Sequence, residues 1–151
     1  MNSKTKECVD VLLVEDNPAD VFLMEEALHD AICCNRLFVV NDGEEAMDFL
    51  HRRGVYTEAP QPDMILLDLN LPKKDGREVL KEVKEDRNLM HIPVIIISTS
   101  QSREEIMNSY RLHANCFVSK PVDLNRFFEL VQAIDNFWFS IAKLPHDTWQ
   151  N

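Results

Sequence analysis

Met64-Ile65-Leu66-Leu67-Asp68-Leu69-Asn70-Leu71-Pro72-Lys73-Lys74-Asp75-Gly76 is the stretch on which the reading of this chain turns. Four apolar residues run without interruption into a carboxylate, and a loop rich in breakers follows. A short apolar run that does not alternate with polar residues fits a strand buried on both faces. An acid at its carboxyl end then stands where open α/β sheets bind their ligands.

The same grammar recurs on both sides of this stretch. Val11 to Val14 runs into Glu15-Asp16, and Asn17-Pro18 reads as a helix cap followed by proline at the first helical position. Val21, Phe22, Met24, Leu28 and Ile32 continue at helical spacing. Leu37 to Val40 is a second strand, Asn41-Asp42-Gly43 a turn, and Ala46, Met47, Phe49 and Leu50 mark a second helix. A loop is predicted from His51 to Pro62, and Val79, Leu80 and Val83 mark a third helix. Val94 to Ile97 is a fourth strand, running into Ser98-Thr99-Ser100, with a helix predicted over 102–111. Cys116 to Val118 is a short fifth strand that ends at Ser119-Lys120-Pro121, and a last helix is predicted from Leu124 to Phe139. Strands rich in Val, Ile and Leu that alternate with helices predict an α/β fold. Its five parallel strands are joined by right-handed helical crossovers and covered by helices on both faces.

A length of 151 residues suits one domain with one core. The domain is read over 9–140, with a C-terminal tail at 141–151 and no output domain. The formal net charge of -10, without a basic block, argues against nucleic acid as a partner, because that binding is driven by cations on phosphates. No apolar run reaches the length of a membrane span. The segment Met1 to Glu7 is polar and lacks the apolar core of a signal peptide. A cytoplasmic location follows as the expectation. Cys8, Cys33, Cys34 and Cys116 form no C-x-x-C pair, and in a reducing compartment they are read as thiols. The five histidines lack zinc-site spacing.

The strand ends hold the chemistry. Glu15 and Asp16 close the first strand, Asp68 and then Asn70 the third, Ser98 the fourth, and Lys120 the fifth. Any one of these acids alone would be read as the cap of the next helix or loop. Together they converge on one rim. Carboxylates so close repel one another, and a hard divalent cation with oxygen ligands, Mg2+ or Mn2+, relieves the repulsion. With Lys120, such a cation could neutralise a phosphoryl group in transfer, and Ser98 could donate a hydrogen bond to it.

Val14-Glu15-Asp16-Asn17-Pro18, Leu66 to Gly76, Ile97-Ser98-Thr99 and Ser119-Lys120-Pro121 together resemble the motifs of response-regulator receiver domains. They fall in order and at family-like spacing over about Val11 to Phe139. The resemblance implies the flavodoxin-like (βα)5 fold with strand order 2-1-3-4-5. It implies that Asp68 accepts a phosphoryl group from a histidine kinase. Glu15, Asp16, Asp68 and the backbone carbonyl of Asn70 would hold Mg2+. Ser98 and Lys120 would contact the phosphoryl group, and Phe117 stands at the position of the family's switch aromatic. More narrowly, His51 to Tyr56, Leu69 to Leu80, Leu112 to Cys116 and Phe137-Trp138-Phe139 resemble the small regulators associated with cyanobacterial phytochromes. That likeness implies a phytochrome-type kinase as donor.

Output is expected to pass through binding. The last helix offers Leu124, Phe127, Val131, Ile134 and Trp138 as one buried stripe, which leaves Phe128, Leu130, Phe137 and Phe139 to flank it. Surplus aromatics predict a contact surface, read as a homodimer through the fourth helix, fifth strand and fifth helix. A tail folded back over its own helix is the alternative. Other functions fit less well. A metal-dependent phosphatase wants an acid at position 70, where Asn70 stands. A nucleotide or flavin binder wants a glycine- or hydroxyl-rich loop after the first strand, where Glu15 and Asp16 stand. A phosphorylation-independent interaction module would have no need of the intact acidic set. The chain is therefore read as a switch and not as an enzyme, beyond catalysing its own phosphoryl acceptance and loss.

Overall fold

A computed structural model describes residues 8–121 and 123–145. The polar segment at 1–7 and the end of the tail, 146–151, lie outside the described residues. Five strands, β1 (Val9–Val14), β2 (Asn35–Val40), β3 (Met64–Leu67), β4 (Val94–Ser98) and β5 (Cys116–Ser119), alternate with five helices. The helices are α1 (Pro18–His29), α2 (Gly43–Leu50), α3 (Gly76–Glu85), α4 (Arg103–Arg111) and α5 (Leu124–Ile134). The strands form one sheet in the order β2-β1-β3-β4-β5, every pair parallel. This is the doubly wound flavodoxin-like arrangement expected above.

Both faces of the sheet are covered, because the side chains of a strand point alternately to opposite faces. Leu12, Val14, Ile65, Leu67 and Ile96 pack against Met47, Phe49, Val79, Leu80 and Val83 of α2 and α3. Val11, Leu13, Met64, Leu66, Ile95 and Ile97 pack against Met24 and Leu28 of α1 and Phe127, Val131 and Ile134 of α5. Among the described residues, no helix is long and apolar enough to cross a membrane.

Two strands begin earlier than their apolar runs, for a polar reason. Val9 pairs with Asn35 and Asp10 with Arg36. Arg36 donates to both oxygens of the fully buried Asp10, at 2.7 and 2.9 Å, and Asp63 accepts the Asp10 N–H at 2.8 Å. Buried charge is tolerated when it is paired in this way.

The same ladder corrects the reading of the cysteines. Because β1 and β2 start side by side, residues 8 and 34 are brought to a Cα–Cα distance of 4.6 Å, and Cys8 and Cys34 form a disulfide. Cys33 and Cys116 are free.

The last helix is also shorter than expected. The α-helical pattern stops at Ile134, and Asp135–Ile141 widens into a π-helical turn. The buried Asp135 carboxylate accepts the N–H groups of Ile32 and Cys33, and Ser140 donates to the Asp135 carbonyl. Beyond this turn the chain folds back, and Leu144 is buried in the α1–α5 core. Leu124, assigned above to the buried stripe, is 46% exposed; of the flanking aromatics Phe137 is exposed, while Phe128 and Phe139 are half-buried.

Candidate functional site

The carboxyl ends of β1, β3 and β5 bring Glu15, Asp68 and Lys120 to one rim. Glu15 and Asp68 are buried and Asp16 is exposed, and one oxygen from each of the three lies within 4.8 Å of the others. Lys120 Nζ donates to Glu15 Oε1 at 2.8 Å, Asp20 Oδ2 at 2.9 Å and Asp68 Oδ2 at 3.2 Å. The Asn70 N–H donates to Asp68 Oδ1 at 3.1 Å, so both oxygens of Asp68 are held. Close packing behind the site fixes this loop: a Cβ on Gly76 would stand 2.3 Å from the Asp68 carbonyl oxygen, so only glycine lets α3 start against the end of β3.

The remaining residues singled out above are placed as follows. Ser98 is fully buried at the end of β4; its hydroxyl oxygen accepts the Ser100 N–H at 3.1 Å, and its carbonyl accepts the Lys120 N–H at 2.7 Å. The Asn70 side chain is exposed. Phe117 is half-buried against the α2–α3 side of the core, and its N–H donates to the Tyr110 hydroxyl at 3.1 Å. Asp20 was not anticipated. Its place in the first turn of α1, two residues after Pro18, carries no sign of the strand end it reaches.

Electrostatics at the rim follows from burial. Loss of water pushes the Glu15 carboxyl up to about 7; Lys120 opposes the rise and the charge of Asp68 adds to it. Burial also works against the Lys120 charge, but its bonds to Glu15 and Asp20 prevail and hold its pKa above the ordinary lysine value. Three carboxylates, those of Glu15, Asp20 and Asp68, therefore share one ammonium, with the Asp16 carboxylate beside two of them. The donor set of the triad is all carboxylate oxygen, and half of an octahedral shell is left for water or substrate oxygens, which suits a hard divalent cation.

An all-parallel 2-1-3-4-5 sheet with an acidic triad and a lysine at its switch point defines a class. The chain belongs to the response-regulator receiver domain family, whose model matches residues 11–132. Within that family it is similar to Response regulator Rcp1 of Synechocystis sp., with 45% identity over 135 residues that cover 89% of this chain and 92% of that protein. The structure of the Mn2+-bound form of Rcp1 superposes with a TM-score of 0.86, at 44% identity over 91% of this chain and 99% of that one. The phosphorylated cyanobacterial phytochrome response regulator RcpA superposes at 0.87, with 49% identity over 91% of this chain and 98% of that one. The chain is thus a response-regulator receiver related to phytochrome response regulators.

Proposed function

We propose that Asp68 accepts a phosphoryl group from the phosphohistidine of a histidine kinase, and that the kinase is of the phytochrome type. A carboxylate oxygen of Asp68 attacks phosphorus, the histidine N–P bond breaks, and the electron pair leaves with the imidazole. The observation that carries this reading is the buried Asp68 carboxylate, gripped by the Asn70 N–H and by Lys120 at 3.2 Å beside two further acids. Lys120 donates to the phosphoryl oxygens as they arrive, and the Ser98 hydroxyl turns to do the same. Glu15, Asp16, Asp68 and the backbone carbonyl of Asn70 would hold Mg2+, or Mn2+ in its place. When bound, the cation offsets negative charge on the phosphoryl oxygens. The names of the relatives support the choice of kinase, since RcpA is a phytochrome response regulator.

Movement of Ser98 toward the phosphoryl group would vacate space beside β5, and Phe117 would turn into it and alter the α4–β5–α5 surface. Of the residues in α4 only Ser109 is buried, so this helix is free to answer a small change beneath it. Signalling then proceeds by a homodimer on that face, in the cytoplasm.

Incubation with Mg2+ and acetyl phosphate, followed by intact mass measurement, tests the proposal. One alkali-labile phosphate is expected, and Asp68→Asn should not acquire it. Turnover of unrelated phosphate esters, or labelling that survives Asp68→Asn, would sink the reading.

A further inference from the structure

We propose that Asp20 is a positioning residue, a carboxylate outside the metal-binding triad that keeps the Lys120 ammonium beside Asp68 when a cation draws on the other acids. The inference rests on the phosphoacceptor reading above and adds a residue to it.

A lysine ammonium has three donors and no acceptor. Lys120 Nζ is in hydrogen-bond contact with three carboxylates, those of Glu15, Asp20 and Asp68. Two of them, Glu15 and Asp68, are also members of the triad with Asp16. Asp20 is not. A cation on the triad therefore competes with Lys120 for two of its partners and repels its charge, while the third partner is untouched. Lysine is a point charge on a flexible four-carbon stem, and without a fixed partner it swings to water. Here the side chain is only 9% exposed. Of the three carboxylates that hold the ammonium, Asp20 is the one that a cation on the triad leaves free to keep it so.

An acid in the first turn of a helix is ordinarily explained by the positive end of the helix dipole. That role is met by a carboxylate pointing anywhere around the turn. The Asp20 carboxylate instead reaches a residue 100 positions away. The first turn is also fixed in the orientation that permits the reach. Asn17 Oδ1 accepts the N–H groups of Ala19 and Asp20, and Pro18 presets the backbone between them.

Asp20→Asn keeps the shape and one acceptor but removes the charge. Phosphoryl gain from acetyl phosphate at saturating Mg2+ should slow about tenfold in maximal rate, as expected for a misplaced charge near the reacting group. Half-saturation by acetyl phosphate should stay within about twofold, because Asp20 does not touch the donor. Asp20→Glu should recover most of the rate. In a Lys120→Gln background, Asp20→Asn should change the rate by less than about twofold, since the effect runs through Lys120. An equal loss in both backgrounds would mean that Asp20 acts only through distant charge, and the proposal would fall; so would an unaltered rate in the single variant. A second readout needs no phosphate. With Mg2+ present, the Lys120 ammonium signal in 15N-detected NMR should be sharp in the parent protein and exchange-broadened in Asp20→Asn. An ammonium signal indifferent to Asp20 overturns the inference. Failure of the parent protein to take up phosphate overturns the phosphoacceptor reading instead, and leaves the NMR comparison to decide the role of Asp20.

Discussion

Tyr56 carries a charge-sensitive bond in the packing beside α2. Its ring packs on Phe49, 5.2 Å between centroids, and Phe49 packs on Phe38 at 5.6 Å, while its hydroxyl donates to Glu45 Oε2. Burial and the Glu45 carboxylate push the phenol up to about 12. In the unfolded chain it titrates near 10. Between these two pH values the folded protein binds the proton that the unfolded chain has released, so stability falls as pH rises. The contribution is complete below pH 10 and is lost through pH 12. Tyr56→Phe should therefore lower the urea midpoint at pH 8, and the gap from the parent protein should shrink by pH 11; a constant gap would contradict the assignment. Single residues also mark what the sequence could disclose. Glu15, Asp16, Asp68, Ser98 and Lys120 were legible because each stands at the end of an apolar run, and the parallel fold gathers such ends. Asp20 and Tyr110 were not legible. Each acts by the reach of a helical side chain toward β5 or the residue just past it, and spacing along the helix does not record what lies opposite.

Elements pair more extensively than their apolar runs imply. The β1–β2 ladder extends through Asp10 and Arg36 because the exposed Arg36 guanidinium pairs with the buried Asp10 carboxylate. One step beyond it, the Cys8–Cys34 disulfide joins the two strands across a sequence separation of 26. Closing a loop of that length in the unfolded chain stabilises the fold by about 3.5 kcal/mol in the chain-entropy account. A reductant should lower the urea midpoint of the parent protein accordingly. Cys34→Ser should show the lowered midpoint from the start and be indifferent to reductant. Equal midpoints with and without reductant would argue that the bond contributes nothing. The sequence hid this pair, since residues 8 and 34 become neighbours only through a register that their own polarity obscures. At the other end of the chain, helical periodicity predicts a helix through Phe139, but Asp135 turns inward to cap the Ile32 and Cys33 amides, and the winding loosens there. Hydrophobic period alone does not register a carboxylate required by a neighbouring loop.

At the scale of the whole molecule, the rim and the Cys8–Cys34 bond lie at opposite ends of the sheet, and the α4–β5–α5 face lies along its side. That face exposes Met107 and Tyr110 of α4 and Leu124 of α5, each about half accessible. Arg77 of α3 holds α4 from below through Glu105 at 2.5 Å. For the proposed dimer, sedimentation with acetyl phosphate and Mg2+ should give the mass of two chains, and Met107→Lys should return it to one. A single-chain mass in the phosphorylated parent would rule the dimer out.

The Tyr110 hydroxyl covers the Phe117 amide on the outer edge of the sheet. An uncovered edge invites another polypeptide to extend the ladder through its main chain. With that amide occupied, one outward donor of β5 is withheld from a visiting strand, and a partner docking at this point must discriminate by side-chain shape and charge. For the ring turn proposed for Phe117 this matters, because an arriving protein then senses the ring itself and not a generic strip of peptide.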